Sequence, residues 1–301
     1  MSARYSKPIY GHDIPWWVYD LTIAAGCSFF SWASFAWTRL AVIPLAVVLY
    51  GSFIEPRLLK IARYEVGKGE RKLKLAYVSD IHVGPYKGSA WVRKLVRETH
   101  ALHPDVILLG GDFLHEKAKD LPKLEPIKEF RAPLGVFAIL GNHDEYRASK
   151  EAHAWISSSG IPLLENRSVR VARVDGEIAV AGADDDWYGE TDLEAAFRDV
   201  PADVPLVAMI HNPDLAPHAA DLLQGRSAST LLISGHTHAG QIRLPLIGPV
   251  PSLPHHLGRK YDRGIFEFGG IPLVIGAGAG ESGPRARLFC RPEIVLVTMR
   301  F

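Results

Sequence analysis

Leu75-Ala76-Tyr77-Val78-Ser79-Asp80-Ile81-His82 and Leu231-Leu232-Ile233-Ser234-Gly235-His236-Thr237-His238 share one plan: a short apolar run that ends on Asp or His. Three stretches between them repeat it. Val106-Ile107-Leu108-Leu109 leads to Gly111-Asp112, and Val136-Phe137-Ala138-Ile139-Leu140 to Gly141-Asn142-His143-Asp144. Leu206-Val207-Ala208-Met209-Ile210 leads to His211-Asn212. A run of this length, rich in Val, Ile and Leu, reads as a buried strand. Strands of one sheet that carry ligand residues at their C-terminal ends place them along one edge, where open α/β sheets build their sites. Asp, His and Asn with no Cys among them suit hard or borderline divalent ions such as Mn²⁺, Fe²⁺ or Zn²⁺.

Outward from these runs, strands and helices alternate from Leu73 onward. Ser89 can cap a helix over 90–101, in which Val92, Leu95 and Val96 share a face. Further helices are expected near 122–130, over 148–158 with Gly160 as its stop, over 191–198 and over 214–223. Residues 168–173 and 177–182, joined through Asp175-Gly176, read as a hairpin. Strands are also expected at 264–268, 272–276 and 293–299. The mixture implies two packed sheets with helices outside.

The N-terminus differs. Residues 21–37 and 40–54 are apolar and are split only by Thr38-Arg39. A spanning helix needs roughly 20 apolar residues. A tight hairpin in the membrane, or one span with an interfacial segment, therefore competes with a signal sequence or a buried soluble helix. A membrane segment is the expectation. No small-x-small site follows a single short apolar core, which argues against a cleaved signal. Arg4 and Lys7 precede the block, and Arg57, Lys60, Arg63, Lys68, Arg71, Lys72 and Lys74 follow it. Basic residues on both flanks place both ends in the cytoplasm. The expected organisation is an anchor over 1–56, a basic linker over 57–72 that can lie on an anionic leaflet, and a catalytic domain over 73–301.

The 301 residues are enough for one large domain plus an appendage. A net charge of +1 gives no global field for nucleic acid. Cys27 and Cys290 lie in unlike contexts, so no structural disulfide is expected.

The ordered set Asp-x-His, Gly-Asp, Gly-Asn-His-Asp, His and Gly-His-x-His resembles the calcineurin-like metallophosphoesterase superfamily. Each block alone is weak, whereas the ordered set is specific and covers about residues 73–299. The resemblance implies a four-layer α/β/β/α sandwich with two divalent metal ions, manganese first, with iron or zinc as alternatives. It assigns Asp80, His82 and His238 to one ion and Asn142, His211 and His236 to the other, with Asp112 bridging. A shared anion damps the repulsion between two ions roughly 3.5–4 Å apart, and the pair can clamp both oxygens of an in-line displacement. His143 is placed to protonate the leaving oxygen, with Asp144 beside it as orienter.

The apolar N-terminus, Ile54-Glu55-Pro56, Ser79–Gly84 and Gly235-His236-Thr237-His238-Ala239-Gly240-Gln241 look like the membrane-associated bacterial YkuE/YaeI-type phosphodiesterase branch. That branch also holds a membrane-bound pyrophosphatase acting on UDP-2,3-diacylglucosamine. Ala239 stands where the family more often has Gly. The resemblance implies a phosphodiester or lipid-linked diphosphate substrate, membrane lipid as partner, and an inner-membrane location with the catalytic domain on the cytoplasmic face. Arg287 and Arg243 are candidates to hold a second phosphate by bidentate contact. A tethered phosphoesterase for soluble diesters and a non-catalytic scaffold are the competing functions; intact ligand blocks count against the scaffold. Phe113, where phosphoprotein phosphatases carry Arg, counts against protein substrates. His100, His103, His115, His153 and His218 read as surface histidines, and Asp184-Asp185-Asp186 as a solvated loop. The Pro-rich loop 249–258, with His255-His256, is a candidate wall of the cleft.

Overall fold

The computed structural model describes residues 20–26, 35–226 and 228–301. Thirteen strands are named there: β1 (Lys60–Gly67), β2 (Lys72–Val78), β3 (Val106–Gly110), β4 (Val136–Ile139), β5 (Arg167–Arg173), β6 (Gly176–Gly182), β7 (Leu206–Met209), β8 (Thr230–Ser234), β9 (Arg243–Leu244), β10 (Gly248–Pro249), β11 (Gly264–Phe268), β12 (Ile271–Ile275) and β13 (Glu293–Arg300). Besides a short helical run over 20–26, the helices are α1 (Phe35–Leu49), α2 (Ser89–His100), α3 (Asn142–Ser158), α4 (Leu193–Phe197) and α5 (Ala216–Leu222).

The strands form a five-stranded sheet, β1-β13-β2-β3-β4, a six-stranded sheet, β11-β12-β8-β7-β6-β5, and the small β9–β10 hairpin. Alternation along β2 shows how the layers arise. Leu73, Leu75 and Tyr77 join Val180, Val207, Ile233 and Val274 in a core between the sheets. Ala76 and Val78 face the other way, against Val92, Leu95 and Val96 of α2. On the outer face of the second sheet, Ala208 and Leu232 pack against Leu193, Ala196, Ala216 and Ala219. Strands buried on both faces explain why the runs are continuously apolar. β2, β3 and β4 run parallel, as do β6, β7, β8 and β12. The ligand-bearing ends of both sheets therefore emerge on one side.

Several expectations need correction. The linker over 57–72 contains β1, paired in parallel with β13 from Lys60↔Glu293 to Gly67↔Arg300. Ala62 and Val66 enter the intersheet core, while Lys60, Arg63 and Glu65 stay outside it. Charges on the solvent side of an edge strand resemble a solvated linker in sequence, and they also block edge-to-edge pairing. Over 118–129 the chain is a 3-10 run, not an α-helix, because Pro122 and Pro126 remove donors from it. Gly88, not Ser89, occupies the N-cap of α2.

Residues 27–34 of the 21–37 stretch lie outside the described residues. The second stretch lies in α1, which starts at Phe35, runs through Thr38-Arg39 without a turn, contains Pro44 and is continued by a π turn over Tyr50–Ile54. Among the described residues no helix is long and apolar enough to cross a membrane. The expected membrane segment is therefore unsupported by helix length. The helical run nonetheless leaves Val42, Ile43, Val47, Val48 and Leu49 exposed.

Candidate metal centre

After β2, β3 and β8 the chain turns sharply at the candidate donors. Asp80, His82, Asp112, His236 and His238 all have φ between +48° and +67°. Non-glycine residues adopt this left-handed region at a cost of about 1–3 kcal/mol each, and such strain concentrates at functional sites. The turns fold the five side chains back over the sheet ends. Gly141 and Gly235 make room for them. A methyl on Gly141 would come within 2.4 Å of Asp112 Oδ1 and 2.6 Å of His211 Cε1, and one on Gly235 within 2.4 Å of Asp80 Oδ2.

Two groups of donors result, with Asp112 in both. One joins Asp80, His82, Asp112 and His238, and the other Asp112, His211 and His236; within each group the ligand atoms lie within 4.8 Å of one another. His82 Nε2 stands 3.0 Å from His238 Nε2 and 3.4 Å from Asp112 Oδ2, and His211 Nε2 lies 3.3 Å from the same oxygen. The opposite ring nitrogens are engaged elsewhere: His82 Nδ1 with the Leu114 carbonyl at 3.1 Å and His211 Nδ1 with that of Gly110 at 2.8 Å. His236 is turned round, with Nδ1 2.8 Å from Asn142 Oδ1 and Nε2 2.8 Å from the Pro254 carbonyl. Carbonyl partners of this kind fix which ring nitrogen remains available to an ion.

Charge in this site is governed by burial. Burial and neighbouring histidines push His82 well below the ordinary imidazole range; burial and His211 push His236 down to about 3. Burial, His82 and the Arg287 guanidinium depress His238 in the same way. Neutral imidazoles are the form that binds metal. Burial also disfavours charge on His211, but the Asp112, Asp80 and Asp185 carboxylates outweigh it and raise His211 well above its ordinary value. Asp80 is pushed up to about 6 by burial. Asp80 Oδ2 and His211 Nε2 are buried without a hydrogen-bond partner. An orphaned Asp oxygen and His nitrogen beside further Asp, His and Asn donors around shared Asp112 fit a pair of divalent cations.

The Asn142-His143-Asp144 block opens α3. The His143 N–H donates to Asp112 Oδ1 at 2.8 Å, so the positive helix end holds the shared carboxylate. The His143 ring sits edge-on to His82, with centroids 4.7 Å apart. His143 Nδ1 lies 2.6 Å from the His115 carbonyl and Nε2 3.3 Å from Ser282 Oγ. Asp144 has a different task from the one expected. Its carboxylate accepts the backbone N–H groups of Phe113, Leu114 and Gly141 at 3.2, 2.9 and 3.2 Å, tying the Gly-Asp turn to the helix start. Burial and Asp112 push its carboxyl up to about 7. His115, expected on the surface, supplies the carbonyl that orients His143.

Neither arginine reaches the cleft as expected. Arg287 is fully buried. It donates to the carbonyls of Ala277 (2.9 Å), Gly278 (3.2 Å), Gly280 (2.5 Å) and Cys290 (3.1 Å), and its Nη2 is 3.3 Å from His238 Nδ1. Arg243 pairs with Asp262 and donates to the Ala239 carbonyl at 3.0 Å.

A cleft of about 450 Å³ opens over the donors. Asp112, Asn142, His143, His236 and His238 form its floor, and Tyr146, Trp187, Tyr188, Pro251, Pro254 and Pro284 line its walls. The Pro-rich loop thus contributes to the cleft through Pro251, Ser252 and Pro254, while His256 is held by Asp214 at 2.9 Å. The aromatic wall was missed in the sequence. Its signal lay in the Asp184-Asp185-Asp186 run, which is structural and not solvated. Asp185 is buried and caps the N–H groups of Trp187 (3.0 Å) and Tyr188 (2.7 Å), and Asp186 accepts from Asn212 Nδ2 at 2.9 Å. Gln241, in the last ligand block, clamps Ser282 by two hydrogen bonds of 2.6 and 2.9 Å.

The calcineurin-like phosphoesterase family signature matches residues 73–240. The chain belongs to the calcineurin-like phosphoesterases. Its phosphoesterase relatives include phosphodiesterase YaeI of Escherichia coli, 28% identical over 83% of this chain and 92% of that protein. UDP-2,3-diacylglucosamine pyrophosphatase LpxG of Chlamydia trachomatis is 25% identical over 86% of this chain and 95% of that one. The zebrafish (Danio rerio) transmembrane protein with metallophosphoesterase domain is 30% identical over 89% of this chain and 63% of its own length. The chain spans between about half and two thirds of the animal relatives it matches. Similarity to the YaeI and LpxG proteins fits the YkuE/YaeI-type branch of the phosphoesterases.

Proposed function

We propose that this phosphoesterase hydrolyses phosphodiester or pyrophosphate bonds with two divalent ions, manganese first, on a lipid-linked substrate at a membrane face. The observation that carries the reading is the pair of donor groups that share Asp112 under one cleft. Asp80, His82 and His238 would hold one ion, Asn142, His211 and His236 the other, with Asp112 between them. Bound there, the ions would supply Lewis-acid stabilisation of the phosphoryl group and activate water near neutral pH.

The chain's own residues do the rest. The α3 N-terminus keeps Asp112 fixed by the His143 N–H. The His143 Nδ1–H donates to the His115 carbonyl, which leaves Nε2 on the cleft side to carry the proton for the departing oxygen. Among the described residues no lysine or arginine lines the cleft. Phosphate charge is then met at the metal floor and the helix end, and the aromatic and proline walls suit the neutral, apolar parts of a substrate. The name of the LpxG relative supports a lipid-linked diphosphate. The exposed apolar face of α1, the basic flanks and a relative described as transmembrane support a bacterial inner-membrane location, with the catalytic domain in the cytoplasm.

The test is purified full-length protein with Mn²⁺ on bis(p-nitrophenyl) phosphate and on UDP-2,3-diacylglucosamine in mixed micelles. Chelation abolishes activity, and Asp112→Ala is the most damaging ligand variant because it touches both ions. Full activity of Asp112→Ala after EDTA treatment refutes the metal reading. Turnover of the soluble diester alone leaves a tethered phosphoesterase for soluble substrates.

A further inference from the structure

The β9–β10 hairpin ends in Pro245-Leu246-Ile247, an unusual tip for a water-facing turn. Leu246 has φ +68° and a fully exposed side chain. Turns that require this conformation favour Gly or Asn, so a strained and exposed leucine indicates that its side chain is used. Ile247 beside it is 64% exposed, and Phe289, which shares the recess under the hairpin, is 57% exposed. Arg259, Lys260 and Arg263 line the same recess, where Asp262, the one acid among the described lining residues, already pairs with Arg243.

This patch is continuous with the apolar N-terminal run. The Phe289 N–H donates to Glu55 at 3.0 Å, and Ile54 just before Glu55 is exposed at the end of the helical run from α1. The Arg287 N–H bonds the Gly51 carbonyl at 2.8 Å, and the Arg243 N–H that of Leu288 at 2.9 Å. Hydrogen bonds thus join the hairpin, residues 287–289 and the end of the helical run from α1. The residues on either side of the hairpin, Gly240–Ile242 and Pro251-Ser252, line the catalytic cleft.

We propose that the β9–β10 hairpin is a second membrane contact: Leu246, Ile247 and Phe289 enter an anionic bilayer beside the N-terminal anchor and seat the rim of the cleft at headgroup level. Apolar side chains surrounded by arginine and lysine are the composition that binds anionic leaflets. Continuity with α1 and the basic recess select a lipid surface over a second copy of the chain. The inference rests on the reading of this protein as a membrane-bound phosphoesterase, and it adds how the cleft meets its substrate.

The test uses the full chain carrying Cys27→Ser, reconstituted in vesicles of phosphatidylcholine and phosphatidylglycerol. Leu246→Cys carries an environment-sensitive fluorophore, and doxyl-labelled lipid is the quencher. Val174→Cys is the control. Val174 is fully exposed in the β5–β6 turn, and because β6 runs parallel to β7 that turn lies at the end of the sheet away from the site. Quenching several-fold stronger at position 246 than at 174 is expected. The L246E/I247E double variant is expected to lose at least fivefold in turnover of a lipid-linked diester in vesicles, with soluble-diester turnover unchanged. Equal quenching at 246 and 174, or a 246 label shielded by a second subunit and not by lipid, overturns the docking surface. Because soluble-diester turnover is read on the same samples, that failure is separable from a failure of the enzymatic reading, in which metal-dependent turnover itself is missing.

Discussion

Arg287→Met separates two readings of the same arginine. A phosphate-binding arginine would, when lost, raise KM for a diphosphate and leave the fold intact. The structure assigns it a different role. Arg287 is fully buried, and its guanidinium satisfies the carbonyls of Ala277, Gly280 and Cys290; the Gly278 carbonyl also receives the Glu293 N–H. Methionine fills much of the space and donates nothing, so three carbonyls lose their partner. Each unsatisfied buried group costs about 1–3 kcal/mol. Relief from burying the guanidinium offsets part of that, which leaves a net loss of roughly 3–5 kcal/mol. At about 2–4 °C per kcal/mol, a fall of roughly 6–20 °C in melting temperature follows. The loop that these carbonyls shape carries Ser282, which sits against His143, so kcat falls with stability while KM for a soluble diester stays within about threefold. Thermal unfolding and steady-state kinetics on the same preparation check this. A variant that melts like the parent but shows a KM raised tenfold or more for diphosphates alone would refute the reasoning.

His143→Ala is expected to retain both ions, measured by elemental analysis, and to lose about 10²–10⁴-fold in rate with a poor leaving group. The loss shrinks for p-nitrophenolate, and equal losses for both leaving groups would make His143 structural. Metal binding should release about one proton at pH 7.5, because His211 sits well above its ordinary value in the metal-free site. The count rises toward two as pH falls through 6, where Asp80 becomes protonated, while the depressed His82, His236 and His238 add none. Calorimetry in buffers of different ionisation heat counts these protons, and a count of zero at pH 7.5 contradicts the assignment. Glu55 accepts the N–H groups of Phe289 (3.0 Å) and Cys290 (2.5 Å), so a truncation that removes residues 1–56 should lose about 2–4 kcal/mol and most soluble-diester activity. A truncation ending before Tyr50 should keep both, as thermal melts and soluble turnover will show.

The sequence by itself placed the Asp, His and Asn residues of the proposed donor set at strand ends. Those residues sit at the close of short apolar runs, and period, run length and residue chemistry are local properties. It also determined the β5–β6 hairpin, the terminal strands and the Pro-rich loop as cleft material, all carried by turn signals. What the tertiary structure decided depends on atoms far apart in the chain. β1 became a strand because β13, more than two hundred residues away, pairs with it, and its alternating charges concealed the pattern. Arg287 and Asp144 were legible as polar residues near the site. Only packing reveals that one props up carbonyls and the other caps backbone N–H groups, since a buried charge takes its role from the donors and acceptors that surround it. The backbone strain at five strand-end Asp and His positions, the His115 carbonyl behind His143 and the aromatic wall held up by Asp185 all arise where separate strand ends meet, and a linear pattern does not encode that meeting.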